Sequence, residues 1–219
     1  MGVYLLTLGC DKNRVDGEAM GGLLREAGYE ITDDAEEAEV IIVNTCGFIR
    51  DAVRESIETV LELAKYKRVG ACKKLIVTGC MAQRYRDEVL KEIPEADAVL
   101  GVKEYDKILD AVRLNKKLKP TAADAGDFYK KRLLLPVSHV AHVKIAEGCN
   151  NRCTYCTIPS IRGPYRSRHF ENIVAECAAL VKRGARELVL VAQDTALYGV
   201  DLYGRPRLHE LLDEIAAID

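Results

Sequence analysis

Three cysteines fall within the stretch "EGCNNRCTYCTIP", residues 147–159: Cys149, Cys153 and Cys156. A structural zinc site takes four protein ligands, and a redox thiol pair takes two. Three thiolates suit a metal centre that reserves one coordination position for something else. At spacings this short, one loop can wrap an iron–sulfur cluster with each thiolate on a different iron. A zinc ion completed by a distant His142 or His169 is the alternative. His139 and His142, near the start of an apolar stretch, read as structural residues.

A second triplet has a different pattern. Cys10 ends "LLTLGC", Cys46 ends "VIIVNTC" and Cys80 ends "LIVTGC". Each lies just past an apolar run with strand character. If the strands are parallel, all three cysteines come to the carboxyl edge of one sheet, where open α/β folds place their ligand sites. The separations of 36 and 34 residues are each about one strand–helix–strand period. Gly9, Gly47 and Gly79 sit beside the three cysteines. Buried cysteine is common, but three at equivalent strand ends argue for a site. Cys72, before a strand, and Cys177, inside a helical stretch, belong to neither triplet and read as core residues.

The elements that must position these residues follow from hydrophobic patterning. "VYLLTLG", "EVIIVNT", "KLIVTG" and "ADAVLG" are short, nearly continuous apolar strands. Helical stretches separate them: about Asp16 to Ala27, then 51–67, then about Arg84 to Glu92, with "KEYDKILDAVR" after the last strand. "YEIT" is a weaker candidate edge strand. This alternation predicts an α/β fold with a parallel, doubly wound sheet over residues 1–112. Residues 113–136 are charged and small and carry prolines, and read as a linker. A second unit, 137–219, opens with the strand "HVAHVKIAEG" and the cysteine loop. It continues with a helix over 170–185, a strand over 186–194 and a final helix in "PRLHELLDEIAAID". Two strand–helix pairs cannot close a barrel, so the second unit is expected to be incomplete.

Composition excludes several classes. The 219 residues are 48% hydrophobic and 30% charged, an ordinary globular profile. No apolar run reaches membrane-spanning length, and the first residues lack a basic leader with a long apolar region. A net charge of −2 gives no overall pull toward nucleic acid. Eight cysteines are too sparse for a disulfide scaffold, which fits a reducing, cytoplasmic setting where thiols remain available as ligands. "GEAMGGLLREAG" lacks the spacing of a dinucleotide fingerprint. No catalytic triad or carboxylate pair is evident, and no protein acid or base is assigned.

The spacing C-x3-C-x2-C with Tyr155 before its last cysteine, after a strand and before a β/α repeat, resembles the radical S-adenosylmethionine enzymes. Taken with "TLGCDKNRVDGE", "NTCGFI" and "TGCMAQRY", the whole chain resembles the methylthiotransferase family within them. The resemblance implies two [4Fe-4S] clusters, on Cys149, Cys153 and Cys156 and on Cys10, Cys46 and Cys80. It also implies S-adenosylmethionine on the open iron of the first cluster. There a 5'-deoxyadenosyl radical abstracts hydrogen, and the second cluster presents or relays the inserted sulfur. It places the backbone of Tyr155 against adenine and Gln193 and Asp194 toward cofactor or substrate. The fold it implies for the second unit is the start of a partial TIM barrel.

"GCDKN" and "PSIRGPYRSR" resemble the branch that modifies an aspartate of ribosomal protein S12 at its β-carbon, although Asp11 stands where that branch usually has proline. A tRNA adenosine is the alternative substrate of the same chemistry, and an electron-transfer or cluster-carrier protein the alternative of another class. The expected partners are therefore protein S12 or the small ribosomal subunit, and an external electron donor, with no membrane. Arg162, Arg166 and Arg168 are candidate substrate contacts, suited to a bidentate carboxylate or phosphate clamp; the alternative is a solvated basic stretch, to which "YKKR" (129–132) adds. The chain alone is expected to turn over poorly or not at all.

Overall fold

The computed structural model describes residues 1–114, Tyr129, Arg132 and 139–218. Most of the expected linker, 113–136, lies outside the described residues. The chain divides into two compact units, Met1–Ala125 with Lys131–Leu133, and Gly126–Lys130 with Leu134–Asp219.

The first unit is a five-stranded, all-parallel sheet in the order β2-β1-β3-β4-β5, where β1 is Gly2–Thr7, β2 Glu30–Thr32, β3 Val40–Thr45, β4 Lys74–Gly79 and β5 Ala98–Leu100. The central strand β3 is buried at every position, because helices cover both faces. Helix α1 (Asp11–Glu26) packs its Val15, Ala19, Met20 and Leu24 inward. Elsewhere Ile41, Val43, Leu75 and Val77 meet Val60 and Leu63 of α2 (Arg50–Ala64) and Val89 of α5 (Arg86–Glu92). The weak strand "YEIT" appears as β2 at the sheet edge. The strand order reverses between β1 and β3, the switch point at whose carboxyl edge such sheets bind ligands.

Several boundaries differ from expectation, each for a local reason. Helix α1 starts at Asp11, not near Asp16, because its polar first turn is tucked against the sheet edge, with Lys12, Asn13 and Asp16 buried. The long helix expected over 51–67 ends at Ala64, and a short helix α3 (Tyr66–Val69) follows Lys65. Cys80 opens its own helix, α4 (Cys80–Arg84), which Tyr85, in a non-helical conformation, separates from α5. A 3-10 turn at Tyr105–Lys107 leads into α6 (Ile108–Arg113).

The second unit has one parallel β/α/β repeat. Strand β6 (Val140–Lys144) pairs with β9 (Glu187–Val191) across helix α8 (Phe170–Lys182). The expected strand "HVAHVKIAEG" divides, so that β7 (Ala146–Glu147) pairs antiparallel with β8 (Arg166–Ser167). Between them runs the cysteine loop, carrying a short helix α7 (Ile158–Arg162). A helical turn α9 (Val200–Tyr203) precedes α10 (Leu208–Ala216). The core gathers Ala141, Val143, Ile173, Cys177, Leu180, Tyr198 and Leu211.

Candidate metal centres at a sheet edge and in a loop

The strand register explains why three cysteines so far apart in sequence share one edge. Thr7, Asn44 and Thr78 lie side by side across β1, β3 and β4. Cys10, Cys46 and Cys80 follow within three residues of these positions, so the sheet delivers all three to the carboxyl edge at the switch point. The glycines between them are demanded by close approach. A Cβ on Gly9 would lie 2.9 Å from the Cys46 Sγ, and one on Gly47 would lie 2.8 Å from the Cys80 carbonyl oxygen. Gly79 combines φ +99° with a Cβ position 2.3 Å from the Thr45 carbonyl oxygen. The three turns thus nest on one another.

Polar side chains fix the turns. Ser56 of α2 accepts from the Cys46 N–H and donates to the Cys46 carbonyl, both at 3.0 Å. Arg84 donates to the Gly47 carbonyl at 3.0 Å. Asn13 donates to the carbonyls of Leu8 and Thr45 at 2.9 and 3.0 Å. Cys10 is exposed, Cys46 half-buried and Cys80 buried, a gradient from solvent into the sheet edge. Cys10 is also the N-cap of α1, the positive end of whose helix dipole favours negative charge there.

The second triplet is held by local chain geometry. Gly148, at φ +75°, packs where a Cβ would stand 2.1 Å from the Pro164 carbonyl oxygen. The Cys149 N–H donates to the Gly163 carbonyl at 3.1 Å, closing the base of the loop. Beneath it lies a charged cluster: Glu147 Oε2 accepts from Lys144 Nζ and Arg162 Nη1, each at 2.7 Å, and Glu147 Oε1 accepts from the Gly148 N–H at 3.1 Å. Burial alone would raise the Glu147 carboxyl, but Lys144 and Arg162 prevail and hold it well below the usual carboxylate range. Cys149 is buried, Cys156 half-buried and Cys153 exposed.

Tyr155, 86% exposed, lies on the open side of the loop. Gln193 and Asp194 follow β9, half-buried. Asp194 is tied to the loop by its carbonyl, which accepts from the Tyr165 hydroxyl at 2.9 Å, and by its carboxylate, which accepts from Asn151 at 3.4 Å. Burial pushes the Tyr165 hydroxyl up to about 12, so it stays a donor at neutral pH.

The three arginines separate in the structure. Arg162 is 1% exposed and committed to Glu147. Arg168 pairs with Glu176 at 2.6 Å, donates to the Lys144 carbonyl and lies over the Tyr129 ring. Both serve the interior, and neither belongs to a solvated basic stretch. Only Arg166 of the three is exposed. From "YKKR", Arg132 is buried against Glu18 and Tyr129 lies beneath Lys144 and Arg168, so these two do not form a surface charge. His142 is half-buried on β6 and His169 is the exposed N-cap of α8.

Among the described residues no three Cys, His, Asp or Glu side chains converge on a point where a single metal ion could bind. A cluster asks for less convergence, since each thiolate meets a different iron. Both donor sets fit such a group. Each is all-thiol, with graded exposure and a backbone cradle that side chains would fill. Beside them lie buried oxygens without a hydrogen-bond partner, Asn44 Oδ1 and Thr78 Oγ1 at the strand ends and Thr157 Oγ1 next to Cys156. Cys72 and Cys177 lie in the two cores, and burial pushes the Cys72 thiol up.

Sequence reasoning missed Asn13, Ser56 and Arg84 as supports of the strand-end site, and the Glu147 cluster beneath the loop. The signal for the cluster was present: Lys144 at the end of a largely apolar strand requires a partner.

A parallel α/β unit with thiols at its switch point, followed by a β/α repeat with a three-cysteine loop, defines the class. Residues 143–219 match the radical SAM superfamily model, and residues 2–101 match a model described as uncharacterized protein family UPF0004. The chain is 51% identical to the ribosomal protein uS12 methylthiotransferase RimO of Acetivibrio thermocellus, over 99% of this chain and 50% of the relative. It is 50% identical to that of Caldicellulosiruptor saccharolyticus, over 99% and 51%, and 49% identical to that of Clostridium botulinum, over 99% and 50%. Along nearly its whole length the chain is similar to these uS12 methylthiotransferases, and it spans about half their length. In fold it is similar to the radical S-adenosylmethionine methyltransferase TsrM from Kitasatospora setae, with a TM-score of 0.52 at 13% identity, over 97% of this chain and 50% of that one.

Proposed function

We propose that this chain is part of an enzyme that inserts sulfur and a methyl group at the β-carbon of an aspartate of ribosomal protein S12. The observation that carries the reading is its 51% identity, along nearly the whole chain, to a uS12 methylthiotransferase. Cys149, Cys153 and Cys156 hold one [4Fe-4S] cluster together with S-adenosylmethionine, and Cys10, Cys46 and Cys80 hold a second. When bound, these groups supply one-electron reductive cleavage of S-adenosylmethionine at the loop and sulfur at the strand ends.

The chain's own residues bind and orient. The loop base, set by Glu147, Gly148 and Arg162, holds Cys149 in place while Cys153 and Cys156 stay reachable. The backbone at Tyr155 meets adenine. Gln193 and Asp194 face the cofactor or substrate, with Asp194 oriented by Tyr165 and Asn151. Arg166, exposed on β8, is the arginine available for the target carboxylate. An external electron donor and a reducing, cytoplasmic setting follow from the same chemistry. No described helix is long and apolar enough to cross a membrane.

The test incubates a protein of the relatives' full length with reductant, S-adenosylmethionine, S12 and tRNA. Sulfur and methyl gained on an S12 aspartate peptide is the expected result. The same gain on a tRNA adenosine would overturn the substrate. Absence of 5'-deoxyadenosine would overturn the chemistry in favour of electron transfer.

A further inference from the structure

Asn13 is 1% exposed, on the first turn of α1, three residues after Cys10. Its side chain touches all three cysteine-bearing strand ends. Nδ2 donates to the Leu8 carbonyl at 2.9 Å, in the turn between β1 and Cys10. The same nitrogen donates to the Thr45 carbonyl at 3.0 Å, the residue before Cys46. Oδ1 stands 3.9 Å from the Cys80 Sγ, the length of a weak S–H···O contact. The Asn13 backbone carbonyl in turn accepts from Asn44 Nδ2 at 2.8 Å, which ties α1 to β3 a second time.

A helix first turn is an ordinary place for asparagine, but there its side chain usually serves its own backbone. Here both amide hydrogens leave the helix for carbonyls of two strand ends. Each carbonyl lies past Thr7 and Asn44, the last register pair of β1 with β3, although Thr45 still pairs with Gly79 on its β4 side. Buried carbonyls at that point need a donor, and a primary carboxamide offers two on one nitrogen.

We propose that Asn13 is the positioning residue of the strand-end site: one buried carboxamide ties the turns carrying Cys10, Cys46 and Cys80 together and holds their thiols in the arrangement an iron–sulfur cluster requires. The proposal rests on the reading that this triplet binds a cluster. Aspartate cannot replace it, because its carboxylate would set an acceptor against two carbonyl oxygens.

The test uses the 219-residue chain with Cys149, Cys153 and Cys156 replaced by alanine, so that only the strand-end site can load. Asn13→Ala and Asn13→Asp are compared with the Asn13-containing chain. After anaerobic reconstitution the latter is expected to bind about four irons. Both variants are expected to release iron to a chelator about ten- to a hundred-fold faster, the usual effect of losing a residue that supports metal ligands. Without metal, alkylation resolved by mass supplies a second readout. Cys80 should react faster in both variants, while the core thiols Cys72 and Cys177 stay protected as they are in the parent. That protection separates a local role from unfolding, and the variant retaining it is the one interpreted; general exposure of Cys72 and Cys177 in both variants would make Asn13 a residue of overall stability and overturn the proposal. Unchanged iron release and unchanged Cys80 reactivity would also overturn it. No iron in the Asn13-containing chain would overturn the underlying reading instead, and the proposal with it.

Discussion

The two three-cysteine sites solve the same problem by opposite means. At the sheet edge, thiols 36 and 34 residues apart are brought together by strand register, and glycines are required because the turns press on one another. In the loop, the spacing itself brings the thiols together, and the structure closes the loop base with β7, β8 and the Glu147 ion pairs. The first site is inseparable from the fold of its unit. The second is a local device fastened to a unit whose core lies elsewhere, around Ile173, Cys177 and Leu211.

The comparison breaks most visibly at glycine. Gly79→Ala forces a positive-φ strain and a clash with the Thr45 carbonyl, together worth about 4 kcal/mol. Chemical denaturation should show the first unit largely destabilised. Gly148→Ala meets an equally short contact at the loop base, yet it should chiefly lower iron retention by the loop, leaving the melt of the second unit shifted by about 2 kcal/mol. Equal global losses from the two substitutions would erase the distinction.

The Glu147 cluster supplies the next effect. Glu147→Gln removes a carboxylate that faces both Lys144 and Arg162, and should cost about 3 kcal/mol in the second unit alone, read by hydrogen exchange on α8 and β9. The pH dependence follows from the sign of the shift. The folded carboxyl is held below its unfolded value, so its stabilisation is complete above about pH 4.3 and is lost as pH falls toward the folded value. Acid should therefore loosen the second unit through this group, and Glu147→Gln should remove that part of the acid sensitivity.

The smallest effect belongs to the thiols outside both triplets. Cys177→Ala should cost about 1 kcal/mol of stability and leave iron content unchanged, because Cys177 packs in the core of the second unit.

How much of this was legible beforehand differs between the sites for a physical reason. Short apolar runs and helical stretches revealed the parallel sheet, and the positions of Cys10, Cys46 and Cys80 at strand ends followed from that pattern alone. The loop triplet was readable from spacing. Supports reached across the fold were not. Asn13 and Lys12 look like a solvated turn in "CDKNR", because burial of a polar helix start depends on the sheet edge it meets. Arg162 and Arg168 read as candidate substrate contacts or a solvated basic stretch, because nothing adjacent in sequence reveals Glu147 and Glu176 as their partners. The helix break at Tyr85, which leaves the helical region while its side chain packs on the core of the first unit, is likewise not visible in local propensity.

The central claim is that these are two separate cluster sites on one chain. Its most direct test measures iron and acid-labile sulfide per chain after anaerobic reconstitution, in the parent chain and in a variant lacking Cys10, Cys46 and Cys80. The account predicts about eight irons falling to about four. About four irons in both would contradict it, and would leave the strand-end cysteines as part of the sheet's packing alone.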